Sequence, residues 1–82
     1  MLEALEQAEH RVAGIKQCEK AVLKNMTETV YIAQDADERA TWNLQRLCEE
    51  HEVKVNNQCT MQEIGRACGI QVKAAAAAIL KA

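Results

Sequence analysis

Apolar residues recur at helical spacing through the first dozen positions of the chain. Leu2, Leu5, Ala8 and Val12 predict one amphipathic helix there, with glutamates along its polar side. Gly14 then breaks the pattern, because glycine is a poor residue for a helix interior. The first helix is therefore expected to pack one face on a core and to end before Gly14.

A second helix is predicted between Gly14 and Asn25. Its apolar face carries Ile15, Cys18, Ala21 and Val22. Asn25 is a plausible end for this helix, because asparagine tolerates the left-handed conformation that closes many helices.

Two short segments have the composition of strands. Thr29–Ala33 is β-branched and aromatic, which predicts a largely buried strand, and Val53–Val55 predicts a shorter, half-buried one. The alanine-rich tail, Ala74–Leu80, is ambiguous. Alanine favours a helix by propensity, yet small side chains also suit a strand between two helical layers.

Two capping signals mark further helix starts. Asp35 with Glu38 predicts a capping box, and Thr60 with Glu63 predicts another, followed by a short helix that closes at Gly69. The helix that follows the first box has these apolar residues: Ala40, Leu44, Leu47 and Cys48. Helices interleaved with short strands predict an α/β fold, with helices on both faces of one small sheet.

The composition predicts one small globular domain spanning residues 1–82. The 82 residues are 49% hydrophobic and 27% charged with no proline, and the formal net charge is −2. This composition argues against disorder. No apolar run approaches the ~18 residues of a membrane span, and the acidic N-terminus differs from a signal peptide, so the expected location is the cytoplasm.

The four cysteines are expected to be buried free thiols. Their spacing contains no close pair of the kind that zinc sites use. Cys48 and His51 can meet on one helical face, but a metal would need two further ligands, so no metal site and no cofactor is predicted. Asp35 and Asp37 resemble a catalytic carboxylate pair, yet capping explains the first and surface exposure the second. Trp42 is expected at a helix edge and Tyr31 in the core, neither serving as a stacking platform.

Three segments resemble, in order and spacing, the kink-turn-RNA-binding ribosomal protein family. They are Gly14–Ala21 (GIKQCEKA), Ile32–Asp37 (IAQDAD) and Ile64–Val72 (IGRACGIQV). The match covers essentially the whole chain and is nearest to the short bacterial branch of the ribosomal protein L-seven-Ae-like group. The resemblance implies a three-layer α-β-α sandwich around a small four-stranded mixed sheet. It also implies that the alanine-rich tail is mainly the last strand.

The resemblance further implies that a helix start and a distant loop together grip a kinked RNA. The helix-start motif maps onto Lys16, Gln17 and Lys20, and the loop motif onto Ile70–Val72. A helix N-terminus exposes unpaired backbone amides. The side-chain amide of Gln17 carries both a donor and an acceptor, so it can read the edge of a base, whereas a lysine supplies only a cation. The full set of expected RNA-binding residues is Gly14, Ile15, Lys16, Gln17, Lys20, Lys24, Ile70, Gln71 and Val72.

Other functions remain open at this stage. A lysine every four residues is also typical of a solvated helix face, and folds host unrelated functions, so a protein-docking module without an RNA target is the alternative. An enzyme would need a cysteine beside His10 or His51, and both histidines are expected in exposed helical segments. The partner implied is therefore structured RNA containing a kink-turn, such as ribosomal RNA, bound by a monomer, with neither DNA nor a membrane expected.

Overall fold

The computed structural model describes residues 2–81, which form four helices and four strands. In chain order these elements are α1 (Glu3–Gln7), β1 (Arg11–Ala13), α2 (Ile15–Leu23), β2 (Thr27–Ile32), α3 (Glu38–Glu50), β3 (Lys54–Asn56), α4 (Met61–Ala67) and β4 (Ala76–Leu80). The strands form one sheet in the order β1-β4-β2-β3. β4 is antiparallel to β1 and β2, whereas β3 is parallel to β2. The predicted α/β fold with a mixed four-stranded sheet is confirmed.

Alternate residues of the central strands face two separate hydrophobic clusters. Val30 and Ala78 belong to the cluster beneath α2 and α3, whereas Tyr31 and Ala77 belong to the cluster beneath α1 and α4. This alternation follows from the two-residue period of a strand. The sheet is therefore the middle layer of three, as predicted.

The alanine-rich tail is the central strand of the sheet. Ala76, Ala77 and Ala78 are 0% exposed, because helices cover both faces of β4 and other strands flank both of its edges. Small side chains let the two helical layers approach the sheet closely. Burial and ladder hydrogen bonds here outweigh the helical propensity of alanine.

The predicted N-terminal helix is wrong over its second half. α1 covers only Glu3–Gln7, and Arg11–Ala13 forms the edge strand β1, with Val12 opposite Ala78. Val12 packs on the cluster beneath α2 and α3, whereas Leu5 lies in the opposite one. Pairing with β4 satisfies the backbone hydrogen bonds of this segment. The spacing of apolar residues along the sequence could not indicate that pairing, because β4 lies more than sixty residues away.

One predicted cap belongs to a different helix. Asp37, and not Asp35, is the N-cap of α3, since its Oδ1 accepts a hydrogen bond from the Arg39 amide at 3.0 Å. Asp35 Oδ1 instead accepts one from the amide of Met61, the first residue of α4, at 2.8 Å. The Thr60–Glu63 capping box of α4 is confirmed.

Three helices end in the same way, with a left-handed residue that reverses the chain. Asn25 (φ 56°) follows α2, Glu52 (φ 56°) follows α3 and Gly69 (φ 74°) follows α4. In each case the amide of the left-handed residue and the next amide donate to carbonyls of the last two turns, which satisfies groups that a helix end leaves free. The ends predicted at Asn25 and Gly69 are confirmed.

Candidate nucleic-acid interface

The N-terminus of α2 has no side-chain cap within the described part of the chain. Gly14 occupies the N-cap position with φ 103° and ψ 147°, and the first helical hydrogen bond runs from the Cys18 amide to the Gly14 carbonyl at 3.1 Å. The amides of the first turn therefore have no helical acceptor. α3 and α4 are both capped by side chains, so the open start distinguishes α2 from them.

Gly14 fixes this helix start to the sheet and leaves the space in front of it open. Its amide donates to the Ala76 carbonyl at 2.8 Å, at the beginning of the central strand. A Cβ built on Gly14 would meet no heavy atom within 4 Å. The positive φ favours glycine, and the open space lets a ligand approach the backbone.

The polar side chains predicted on α2 point into solvent. Lys16, Gln17 and Lys20 are all exposed, and Lys20 lies one turn after Lys16 on the same face. Lys24 is also exposed, but it lies at the other end of α2, about 12 Å from Lys16 along the helix axis. Only the first two lysines are therefore adjacent to the uncapped start.

The loop after α4 presents apolar side chains to solvent. Ile70 is 38% exposed and Val72 is 70% exposed, with exposed Gln71 between them. Two hydrogen bonds tie the loop to α4, from Ile70 N–H to the Gly65 carbonyl and from Ala74 N–H to the Met61 carbonyl, each 3.1 Å long. The loop is therefore fixed at both ends while its side chains remain available.

A recess of about 500 Å³ lies between α4 and this loop. Its lining residues are Gln62, Arg66, Ile70, Gln71, Val72 and Lys73. Gln62 and Arg66 were not among the residues predicted from the sequence. Their four-residue spacing places both on one face of α4, but no local pattern in the sequence shows that the loop lies beside that face. Arg66 and Lys73 add two cations to the three predicted loop residues.

The fold brings the helix start and the loop to the same end of the sheet. Gly14 is bonded to Ala76, and Val72 lies four residues before Ala76, so its Cα is within about 14 Å of the Ala76 Cα. Arg11, three residues before Gly14, donates from Nη2 to the Cys68 carbonyl at 3.3 Å. Segments more than fifty positions apart thus become neighbours.

Four cations lie at this end of the molecule, in a chain whose net charge is −2. Lys16, Lys20, Arg66 and Lys73 are all exposed there. Glu63, on the neighbouring turn of α4, accepts a hydrogen bond from the Thr60 amide in the capping box. Asp35, Asp37 and Glu38, which follow the β2 residue paired with Ala76, are exposed at the same end, so only the surface beside the helix start and the loop favours an anionic ligand.

All four cysteines are free thiols; Cys18, Cys48 and Cys59 are buried as predicted, whereas Cys68 is half-buried. Burial raises the pKa of each thiol above its ordinary value, so the neutral form predominates at pH 7. Burial, with smaller contributions from Cys48, Cys68 and Glu19, raises the pKa of Cys18 to about 12. Burial alone raises the pKa of Cys48 to about 11. A protonated thiol is neither a nucleophile nor a metal ligand. Among residues 2–81, no group of three or more His, Cys, Asp or Glu side chains could hold a metal ion.

Both histidines were predicted to lie in helical segments, and this prediction is wrong. His10 is exposed and precedes β1, and His51 is the half-buried C-cap of α3, with Nδ1 3.1 Å from Asn25 Oδ1. Across residues 2–81, no helix is both long and apolar enough to span a membrane.

Comparison with known proteins identifies the family. The model of the ribosomal protein L7Ae/L30e/S12e/Gadd45 family matches residues 1–82. A protein of Caldanaerobacter subterraneus subsp. tengcongensis, named an RNA-binding protein, is 48% identical over 68 residues, or 83% of each chain. A Bacillus pumilus RNA-binding protein is 36% identical over 74 residues, or 90% of each chain.

A solved structure agrees with these relatives. The Giardia lamblia 15.5kD RNA binding protein superposes with a TM-score of 0.88 at 29% sequence identity, covering 99% of this chain and 71% of the other. The similarity thus extends over the whole sandwich, including the helix start and the loop described above. This chain belongs to the ribosomal protein L7Ae/L30e/S12e/Gadd45 family.

Proposed function

We propose that this protein binds structured RNA containing a kink-turn and stabilises the kinked form. The observation that carries the proposal is the uncapped start of α2 lying at the same end of the sheet as the exposed loop 70–72. Relatives named as RNA-binding proteins support RNA as the class of partner. The bent RNA would then be held between two separate protein segments.

The helix start supplies the polar half of the proposed interface. Free amides of α2 and the positive end of its dipole attract a phosphate, and Gly14 lets the RNA backbone approach them. Lys16 and Lys20 add charge beside it. Gln17 carries a donor and an acceptor, so it can recognise the edge of an unpaired base.

The loop supplies the apolar half. Ile70 and Val72 can cover a nucleotide that the kink expels from its stack, since RNA-binding proteins commonly read unstacked bases. Gln71 can hydrogen-bond to such a base. Arg66 and Lys73, which line the same recess, are suited to the adjoining phosphates.

The proposal assigns a binding role without a catalytic step. Ribosomal RNA, a riboswitch or a small structured RNA can present the same motif, and we propose that a cytoplasmic monomer recognises it. Contacts to 2′-hydroxyl groups would favour RNA over DNA. Lys24 is assigned at most an outer phosphate contact, because it lies a helix length from Gly14.

A gel-shift titration with a kink-turn RNA and a plain duplex of equal length tests the proposal. We expect preference for the kinked RNA, and expect Lys20→Ala to reduce the slope of log affinity against log salt by about one phosphate. Lys24→Ala is the matched control, since it removes the same charge at the far end of the helix and should change the slope less.

A double-mutant cycle asks whether the two segments form one site. Gln17→Ala should mainly reduce the preference for the kink, and Val72→Asp should weaken binding more, because it places an anion against RNA. Residues that share one ligand commonly couple by about 0.5 kcal/mol or more. Additive effects with the kink preference retained would contradict the single site and favour a protein-docking module.

A further inference from the structure

The only tryptophan of the chain stands out on the surface of α3. Trp42 is 61% exposed, whereas the other large apolar residues of α3, Leu44 and Leu47, are buried. Burying an aromatic ring usually contributes to stability, so an exposed one contributes little to the fold. The exposed ring is therefore available for contact with a ligand.

Basic and polar groups surround the ring. Arg39 lies one turn before Trp42, and Arg46 lies one turn after it, with its guanidinium carbon 6.0 Å from the ring centroid. Trp42 also forms a recess of about 420 Å³ with Glu38 and Arg39, on its N-terminal side. Arg46 also donates to Glu50 Oε2 at 2.6 Å and to Asn43 Oδ1 at 2.7 Å, which hold its guanidinium on the C-terminal side of the ring. The ring stays accessible from the other side.

This surface is continuous with the interface proposed above. α2 and α3 both start at the end of the sheet where Ala76 bonds to Gly14 and pairs with Ile32, so the two helices run in the same direction. Asn43, the neighbour of Trp42, donates from Nδ2 to Glu19 Oε2 on α2 at 3.1 Å. Lys16 and Lys20 flank Glu19 along α2, so a polar surface joins the lysines to Trp42.

We propose that Trp42, Arg39 and Arg46 form a second RNA contact, which stacks one unpaired nucleotide flanking the kinked motif. The inference rests on the function proposed above. Sequence alone gave Trp42 no stacking role, and its exposure and its arginine neighbours change that interpretation. Aromatic and guanidinium groups are the side chains on which single-stranded bases stack.

The chemistry of the patch favours a nucleotide over a protein partner. A stable protein interface needs an apolar centre within roughly 1,200 Å² or more of buried surface. Trp42 is instead a single large apolar side chain among Glu38, Arg39 and Arg46, which matches one base with its phosphates outside. The Glu38 carboxylate disfavours a phosphate within the recess but can accept a hydrogen bond from an exocyclic amine.

Trp42 fluorescence gives a direct test, because no other tryptophan contributes. Three RNAs are compared: a blunt kink-turn RNA, the same RNA with an unpaired adenosine extension at either end, and a duplex with that extension. Extended kink-turn RNA should quench the emission of Trp42 at saturation. The blunt kink-turn RNA should bind with little quenching.

Substitutions provide the second arm of the test. Trp42→Ala should weaken binding of the extended kink-turn RNA by about 5- to 150-fold and leave the blunt RNA unaffected. Trp42→Phe should retain part of the additional affinity for the extended RNA over the blunt RNA, because phenylalanine still stacks on a base. Leu23→Ala is the control, since Leu23 is 56% exposed at the far end of α2 and has no role in the proposed contact.

Each outcome separates this contact from the proposed function. If the unaltered protein bound kink-turn RNA no more tightly than duplex RNA, the proposed function itself would be refuted. Retained preference with unchanged emission, equal quenching by blunt RNA, or no effect of Trp42→Ala on the extended RNA would refute only the stacking contact. A change of emission with protein concentration in the absence of RNA would assign the surface to a second copy and refute it as well.

Discussion

Gly65 lets the loop proposed to contact RNA pack directly against α4, and Gly65→Ala should displace that loop. A Cβ at this position would lie 2.2 Å from the Val72 carbonyl oxygen and 3.2 Å from its carbonyl carbon. Cβ contacts below 3.0 Å are essentially never seen, so Val72 would have to move by at least about 0.8 Å. The obstructing atoms belong to the backbone, so rotation of a side chain cannot relieve the clash.

The expected cost combines two opposing terms. Alanine is better than glycine in a helix by about 1 kcal/mol. Forcing extra volume into a packed site costs about 1–3 kcal/mol. The net destabilisation should therefore be about 0–2 kcal/mol, measured by urea denaturation. Ala40→Gly, at an exposed position of α3, is the control that measures the helix term separately.

The displacement of the loop is measurable without RNA. Hydrogen exchange of the Ile70 and Ala74 amides, which bond to the Gly65 and Met61 carbonyls, should accelerate in Gly65→Ala. Affinity for kink-turn RNA should fall more than affinity for duplex, because Ile70 and Val72 would be misplaced. If the variant gains the full helix term while exchange and affinity stay unchanged, the packing argument is refuted.

Two further predictions concern stability. Glu52→Gly should stabilise the protein by about 0.5–1 kcal/mol in urea denaturation. The φ of 56° costs a non-glycine residue about 1–2 kcal/mol, and the greater conformational freedom of glycine in the unfolded chain offsets part of the gain from removing this strain. An unchanged or lower denaturation midpoint would contradict the presence of strain at Glu52. Burial raises the pKa of Cys18 from 9.0 in the unfolded chain to about 12 in the folded protein, so the folded protein holds this proton more tightly. The free energy of unfolding should therefore fall as the pH rises above 9, by up to about 1.4 kcal/mol per pH unit for this thiol. Cys18→Val should flatten that dependence, and an equal slope in both proteins would show that the thiol does not cause it.

The sequence predicted those elements whose signals are local. α2 and α4 carry helical spacing together with residues that tolerate left-handed ends, Asn25 and Gly69, and the structure has both helices where these residues predict them. β2 was predicted at Thr29–Ala33 and found at Thr27–Ile32, a small shift at each end. Periodicity and end signals determine such elements without reference to the rest of the chain.

The remaining features depend on contacts between distant segments. β1 is a strand because the edge of β4 pairs with it, and its three residues are too few to show a strand period. The cap formed by Asp35 on Met61 joins residues 26 positions apart, so a local capping rule assigned it to the wrong helix. The recess residue Arg66 was missed for the same reason, since the loop reaches it only in the folded chain.

The placement of the loop follows from how α4 is held. α4 has seven residues, too few for a helix to be stable alone, so its position must come from tertiary contacts. Asp35 accepts from its first amide, Gly65 receives the backbone of Val72 at its middle, and Arg11 donates to the carbonyl of Cys68 at its end.

Arg11 is the contact that links this support to the other half of the interface. Its Nη1 also donates to the carbonyls of Leu5, Glu6 and Ala8, so one guanidinium joins the end of α1 to the end of α4. Gly14 lies three residues after Arg11, directly beyond β1, and donates its amide hydrogen to the Ala76 carbonyl. The uncapped helix start and the apolar loop are therefore fixed to one another in the free protein. In the proposed complex, a preorganised pair of this kind would lose little conformational entropy, which would leave more of the contact energy to hold the kink.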